Sequence, residues 1–116
     1  CTPGSAENQA LIDERVLSAL GASGILINIS RGSVVDEFAL IKALEQGIIA
    51  GAGLDVFSQE PEVPQALLRR VNVVVTPHMA SATWSTREAM SRLVLENVSG
   101  WAKNKTLVTP VPALEP

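Results

Sequence analysis

Four side chains suited to chemistry sit at or shortly after the ends of apolar stretches: Arg31, Asp55, Glu60 and His78. Arginine offers a forked donor that stays charged, the group of choice for holding a carboxylate and an adjacent carbonyl. Histidine, titrating near neutrality, can give a proton to a carbonyl oxygen or take it back. A carboxylate beside that histidine fixes its tautomer and favours its protonated form. Arg31, Glu60 and His78 therefore supply what proton-coupled reduction of a 2-keto acid requires. Each also has an ordinary reading. A lone loop histidine is often structural, Arg31 could pair with a surface carboxylate, and Glu60 in its acidic loop could be a solvated charge. Asp55 could cap a turn, and Trp84 and Trp101 suit packing.

The elements that must position these residues follow from the apolar pattern. Asp13 can cap a helix to about Leu20, with Gly21 as its stop and Ile12, Val16, Leu17 and Leu20 on its apolar face. Residues 24–29 form a continuous apolar run, which predicts a strand buried on both faces. Asp36 can cap a helix from Glu37 to Gln46, with Phe38, Ile41 and Leu44 inward and Gly47 as its stop. Strands are expected at 52–56 and 72–76, with a helical turn near Ala66–Leu68 between them. A long amphipathic helix is expected over 84–103, opened by a Ser85/Glu88 capping box, with Met90, Leu93, Val94, Asn97, Val98 and Trp101 in helical period.

This alternation predicts an α/β chain with parallel strands joined by right-handed crossovers. Ligands of such sheets bind at the carboxyl ends of the strands. Arg31, Asp55 with Glu60, and His78 each follow a different strand, so one rim should gather all of them. The composition agrees: 47% hydrophobic residues suffice for a packed interior. A net charge of −3 without a basic run argues against nucleic acid as a partner. No apolar run reaches the ~18 residues of a membrane span. The single cysteine, Cys1, forms no internal disulfide and fits a reducing compartment. The opening Cys1-Thr2-Pro3-Gly4 reads as a turn leaving a strand, so further residues are expected upstream. The Pro-punctuated end, 107–112, is expected to lie extended against other structure.

Three stretches carry a specific resemblance: 28–37 (NISRGSVVDE), 51–57 with Glu60-Pro61 (GAGLDVF…EP), and 76–78 with Ser81 and Thr83 (TPH..S.T). In order and spacing they resemble the D-2-hydroxyacid dehydrogenase family over essentially the whole chain. The resemblance implies the second half of a Rossmann-type doubly wound parallel sheet. It divides the chain into residues 1–82, the C-terminal half of an NAD(P)-binding domain, and 83–116, a connecting helix and tail that pack on a substrate domain. It implies that Arg31 binds the substrate, His78 is the acid/base and Glu60 supports it. It places Cys1, Thr2, Pro3, Asn8, Ile29, Ser30, Arg31, Asp55, His78, Ala80 and Ser81 on the cofactor, with Asp55 toward the nicotinamide carboxamide. No metal is implied.

Within the family, 60–64, 72–75 and 81–87 are most similar to the glyoxylate/hydroxypyruvate and hydroxyphenylpyruvate reductase branch. That similarity implies a small 2-keto acid substrate reduced to the D-2-hydroxy acid, NADP or NAD as cofactor with a lean to NADP, a homodimer, and a cytoplasmic enzyme. Cofactor-sensing corepressors on the same fold keep similar residues and supply the non-catalytic alternative. The sequence has no Gly-x-Gly-x-x-Gly, the pyrophosphate-binding turn. The expectation is that the 116-residue chain alone neither binds the cofactor tightly nor turns over.

Overall fold

A computed structural model describes residues 2–111, which form two compact units divided between Ala80 and Ser81; Cys1 and residues 112–116 lie outside the described set. The first unit is an α/β layer. Its helix α1 (Glu14–Leu20) starts where Asp13 accepts a hydrogen bond from the Val16 N–H at 2.9 Å. Strand β1 (Ile25–Asn28) follows, then helix α2 (Glu37–Glu45), capped by Asp36 through the Ala39 N–H at 3.0 Å. Strand β2 (Gly51–Leu54), the short helix α3 (Gln65–Leu68) and strand β3 (Val73–Val75) complete it. The strands are parallel in the order β1-β2-β3.

Strands laid down in sequence order by crossovers of one hand put every connecting helix on the same side of the sheet. The core lies on that side. Leu17 of α1, Leu40 and Leu44 of α2 and Leu67 of α3 pack with Ala52 and Leu54 of β2, and Leu26, Val73 and Val75 close the cluster. The strand expected to be buried on both faces is buried on one: Ile25 and Ile27 are 61% and 62% exposed. Their face of the sheet carries none of this unit's helices, so a continuous apolar run did not mean two covered faces. Val16 and Leu20 of α1 are exposed as well, and only Leu17 enters the core.

Helix α2 is rotated from the expected orientation. Ala39, Leu40, Ala43 and Leu44 are buried while Phe38 is 79% exposed. The alanines let α2 sit close to the sheet, and that contact outweighs burial of one large ring. Strands β2 and β3 are shorter than expected, so Asp55, Val56, Asn72 and Thr76 lie beyond the regular pairing.

The second unit is a single helix, α4 (Trp84–Asn104), with a returning tail. Its cap is Thr83, whose hydroxyl accepts from the Thr86 N–H, rather than the expected Ser85. Glu88 does not reach back to the helix start; it pairs with Arg92 one turn on at 3.0 Å. Thr83 wins because its own backbone is already extended, as a cap requires. Asn97 accepts the N–H groups of Val108 and Thr109 at 3.0 and 3.1 Å, pinning the tail along α4. No residue of α4 is buried in this chain. Among the described residues, no helix is long and apolar enough to cross a membrane.

Candidate active site

The carboxyl ends of the three strands are in register, Asn28 beside Leu54 and Leu54 beside Val75. Backbone bonds continue the lacing past the strands: the Asp55 N–H donates to the Asn28 carbonyl at 3.0 Å, and the His78 N–H to the Asp55 carbonyl at 2.9 Å. The rim deduced from the order of elements is thus a connected edge, with Arg31, Asp55, Glu60 and His78 all in loops leaving it.

The loop after β1 is folded by Asn28, which is 5% exposed. Its side-chain N–H donates to the Arg31 carbonyl at 3.0 Å, and its oxygen accepts the Ser30 N–H and hydroxyl at 3.1 and 2.8 Å. Asn28 satisfies its own burial this way and forces the turn that turns Arg31 out of the strand. Arg31 is exposed; its guanidinium donates to the Ser30 carbonyl at 2.6 Å. It makes no ion pair among the described residues. Its stem runs over Gly4, where a Cβ would come within 2.9 Å of the Arg31 Cγ.

His78 and Glu60 meet: the imidazole Nδ1 lies 2.7 Å from Glu60 Oε2. Glu60 Oε1 accepts the Phe57 N–H at 2.9 Å, so both carboxylate oxygens are held. The hydrogen bond with His78 chiefly, then that from Phe57, keeps the Glu60 carboxyl below its usual range against partial burial, and the charges of His78 and Arg31 act in the same sense. An ionised carboxylate only accepts, so Nδ1 carries the proton and Nε2 is the nitrogen left to exchange one. The pair borders an open, mostly apolar cleft walled by Phe57, Pro61, Val63, Val75 and Pro77.

Asp55 is 4% exposed and holds the loop that carries His78. Its carboxylate accepts from the Thr76 hydroxyl, from the Met79 N–H at 2.8 Å and from the Ala80 N–H at 2.9 Å. It thereby clamps both sides of His78, whose backbone has a left-handed φ of 51° that a non-glycine residue adopts only when held. The Thr76 hydroxyl lowers the Asp55 pKa most; burial opposes it, and the Met79 and Ala80 N–H groups and the His78 charge lower it further.

Carboxyls held below their ordinary range bind protons more weakly in the folded than in the unfolded state. The stability they contribute is complete above roughly pH 4–4.5 and is lost as pH falls through their lower folded values. Urea midpoints should therefore drop below about pH 4. Asp55→Asn, which sets an amide against backbone N–H donors, should lower the midpoint at neutral pH and flatten the acid drop. An acid drop as steep as that of the unaltered chain would remove Asp55 as a contributor.

The remaining expected positions separate into groups. Thr2, Pro3, Ile29, Ser30 and Arg31 line one open hollow. Asn8 borders it indirectly, its side-chain N–H donating to the Pro3 carbonyl at 3.0 Å. Ala80 sits in the Asp55 clamp, Ser81 begins the second unit, and Cys1 lies outside the described residues. Among the described residues, no group of acidic, histidine and cysteine side chains could hold a metal ion.

Asn28, Gly32, Glu37 and Ser58 also build the site and escaped the sequence reading. A polar residue ending an apolar run before Ser-Arg-Gly was the available signal for Asn28. Gly32 touches the neighbouring loop: a Cβ there would lie 2.0 Å from the Phe57 carbonyl carbon and oxygen. Such a contact, between loops distant in sequence, leaves no mark in either one.

Residues 1–80 match the family described as D-isomer specific 2-hydroxyacid dehydrogenase, NAD binding domain. The chain is 50% identical over 109 residues to glyoxylate/hydroxypyruvate reductase A of Arabidopsis thaliana, covering 94% of this chain and 35% of that one. It is 49% identical over 108 residues to 2-ketogluconate reductase of Gluconobacter oxydans, covering 93% of this chain and 35% of that one. Among solved structures, the NADPH-dependent glyoxylate/hydroxypyruvate reductase of Sinorhizobium meliloti, in complex with NADP and malonate, superposes with a TM-score of 0.90 at 54% identity. That match covers 95% of this chain and 34% of the other. The chain thus spans about a third of the length of the relatives it matches.

Proposed function

Since the chain belongs to the D-isomer specific 2-hydroxyacid dehydrogenase family, through its NAD-binding domain, we propose that it carries the acid/base half of a reductase for a small 2-keto acid of the glyoxylate or hydroxypyruvate kind. The observation that carries the reading is the Glu60–His78 contact at 2.7 Å on the rim that also bears Arg31. A reduced nicotinamide, when bound, supplies the hydride. His78 holds its Nε2 proton for the substrate's carbonyl oxygen, which takes it up as the carbonyl is reduced to the hydroxyl of the 2-hydroxy acid. Glu60 keeps the proton on Nδ1 and balances the charge of the imidazolium before transfer. Arg31, exposed and without an ion-pair partner among the described residues, clamps the substrate's carboxylate and carbonyl.

The residues present fit the nicotinamide end of a dinucleotide. The hollow of Thr2, Pro3, Ile29 and Ser30 beside Arg31 has small or apolar walls and an open mouth, and Asn8 belongs to its margin in this reading. In this reading Asp55 and Ala80 serve the carboxamide side, Asp55 acting there while it holds the His78 loop, and Ser81 is a cofactor contact by resemblance alone. NADP is preferred to NAD, supported by the NADPH-dependent Sinorhizobium meliloti relative. The reading extends to a cytoplasmic homodimer, which size-exclusion chromatography tests.

The test is the initial rate of NADPH and of NADH oxidation with glyoxylate, hydroxypyruvate and hydroxyphenylpyruvate, on the protein in its longest natural form. Faster turnover with NADPH and one of these acids is expected. Cofactor binding without turnover of any acid would replace the reading with a cofactor-sensing binding protein. Glu60→Gln should move the pH limb for reduction downward, because the imidazolium loses the charge that stabilises it; an unmoved limb would break the pairing.

A further inference from the structure

We propose that Glu37, at the start of α2, is a positioning residue for the acid/base pair, because it grips the loop from which Glu60 reaches His78. The proposal rests on the Glu60–His78 reading above. Glu37 opens the helix but does not cap it, since Asp36 performs that task. Its carboxylate turns instead to a loop on the other side of β2: Oε1 accepts the Ser58 hydroxyl at 2.8 Å and Oε2 the Ser58 N–H at 3.3 Å. The neighbouring Phe57 N–H holds one oxygen of Glu60, leaving the other for His78. A continuous series of contacts thus runs from α2, anchored by the buried Leu40 and Leu44, through Glu37 and Ser58 to Glu60 and His78.

The local Phe57–Glu60 bond closes the turn by itself, but a closed turn can still pivot against His78. The two bonds from Glu37 remove that freedom. The same grip ties the site's two charges together, because Arg31 lies in the loop that leads directly into α2. An acidic residue in the first turn of a helix also stabilises it through the helix dipole, and the test must separate that effect from the grip. Glutamine at position 37 keeps an oxygen acceptor for Ser58 and drops the charge; alanine drops both.

His78 is the single histidine of the 116-residue chain, so its imidazole gives one isolated NMR signal to titrate. The ionisable groups facing it are Glu60, in contact, and Asp55; Arg31 acts on Glu60. Glu60→Gln should move the His78 midpoint down, because the imidazolium loses its carboxylate partner. Glu37→Ala should move it in the same direction by a third or more of that shift, Ser58→Ala by less, and Glu37→Gln should overlay the unaltered chain. A Glu37→Ala curve that overlays the unaltered chain while Glu60→Gln moves would overturn the proposal. Equal movement by Glu37→Ala and Glu37→Gln would overturn it too, by assigning the effect to charge alone. If Glu37→Ala does not fold, the comparison of Ser58→Ala, which must move, with Glu37→Gln, which must not, decides alone. Should all titrations behave as expected while the unaltered protein turns over no keto acid, the positioning stands and the reductase reading falls.

Discussion

His78→Ala should lower the rate of keto-acid reduction by on the order of 10²–10⁴-fold, with little change in the affinity for cofactor. The size follows from what the side chain does. Without the imidazole, the developing alkoxide has no positioned proton and must take one from water, while Arg31 and the hydride geometry remain. The left-handed backbone at position 78 is held by the Asp55 clamp on the flanking N–H groups, not by the imidazole, so the variant should fold. Steady-state kinetics with circular dichroism as a folding check makes the measurement. A loss below about threefold would reject His78 as the proton donor, since positioned acids contribute far more.

Gly32→Ala should be the most damaging change of a single methyl group. The added carbon would stand 2.0 Å from the Phe57 carbonyl carbon and oxygen and 2.5 Å from the Ser58 nitrogen. These are backbone atoms, which cannot rotate aside, and Gly32 has no left-handed φ to complicate the interpretation. Accommodation requires the loop bearing Arg31 to move away from the loop bearing Glu60. The cost in stability should be about 1–3 kcal/mol, as for overpacking in a tight interior. The cost in catalysis should be larger, because displacing a reacting group by about 1 Å is worth on the order of 10²-fold. Urea denaturation and kcat/KM on the same preparation separate the two. A variant with unaltered midpoint and rate would mean that the loops do not meet this closely in solution.

Both effects reach into the same small region, and they explain why its residue types matter singly. The contact between Glu60 and His78 joins side chains 18 residues apart in sequence. Gly32, in the loop that carries Arg31, and Glu37, at the start of α2, both touch the loop that carries Glu60. A substitution at Gly32 or Glu37 is therefore expected to reach the Glu60–His78 contact through the loop between them.

The sequence by itself determined the class of fold, the parallel order of elements and the rim on which the reactive residues stand. Those follow from local rules: Asp13 and Asp36 cap helices because their side chains satisfy free N–H groups, apolar runs become strands, and parallel strands deliver their loops to one edge. The types of Arg31, Glu60 and His78 marked them as candidates in the same way, and the family signatures stood in plain order. Tertiary structure alone decided which faces are covered. Ile25, Ile27 and Phe38 are as apolar as their buried neighbours, but whether they meet a partner depends on which side the crossover helices take and how closely Ala39 and Ala43 let α2 approach. It also decided what Asp55 does, since three donors from around His78 converge on its carboxylate only after β2 and β3 pair. Local rules reach a few residues along the chain; contacts such as Gly32 with Phe57 and Glu37 with Ser58 exist only when separate loops are brought together.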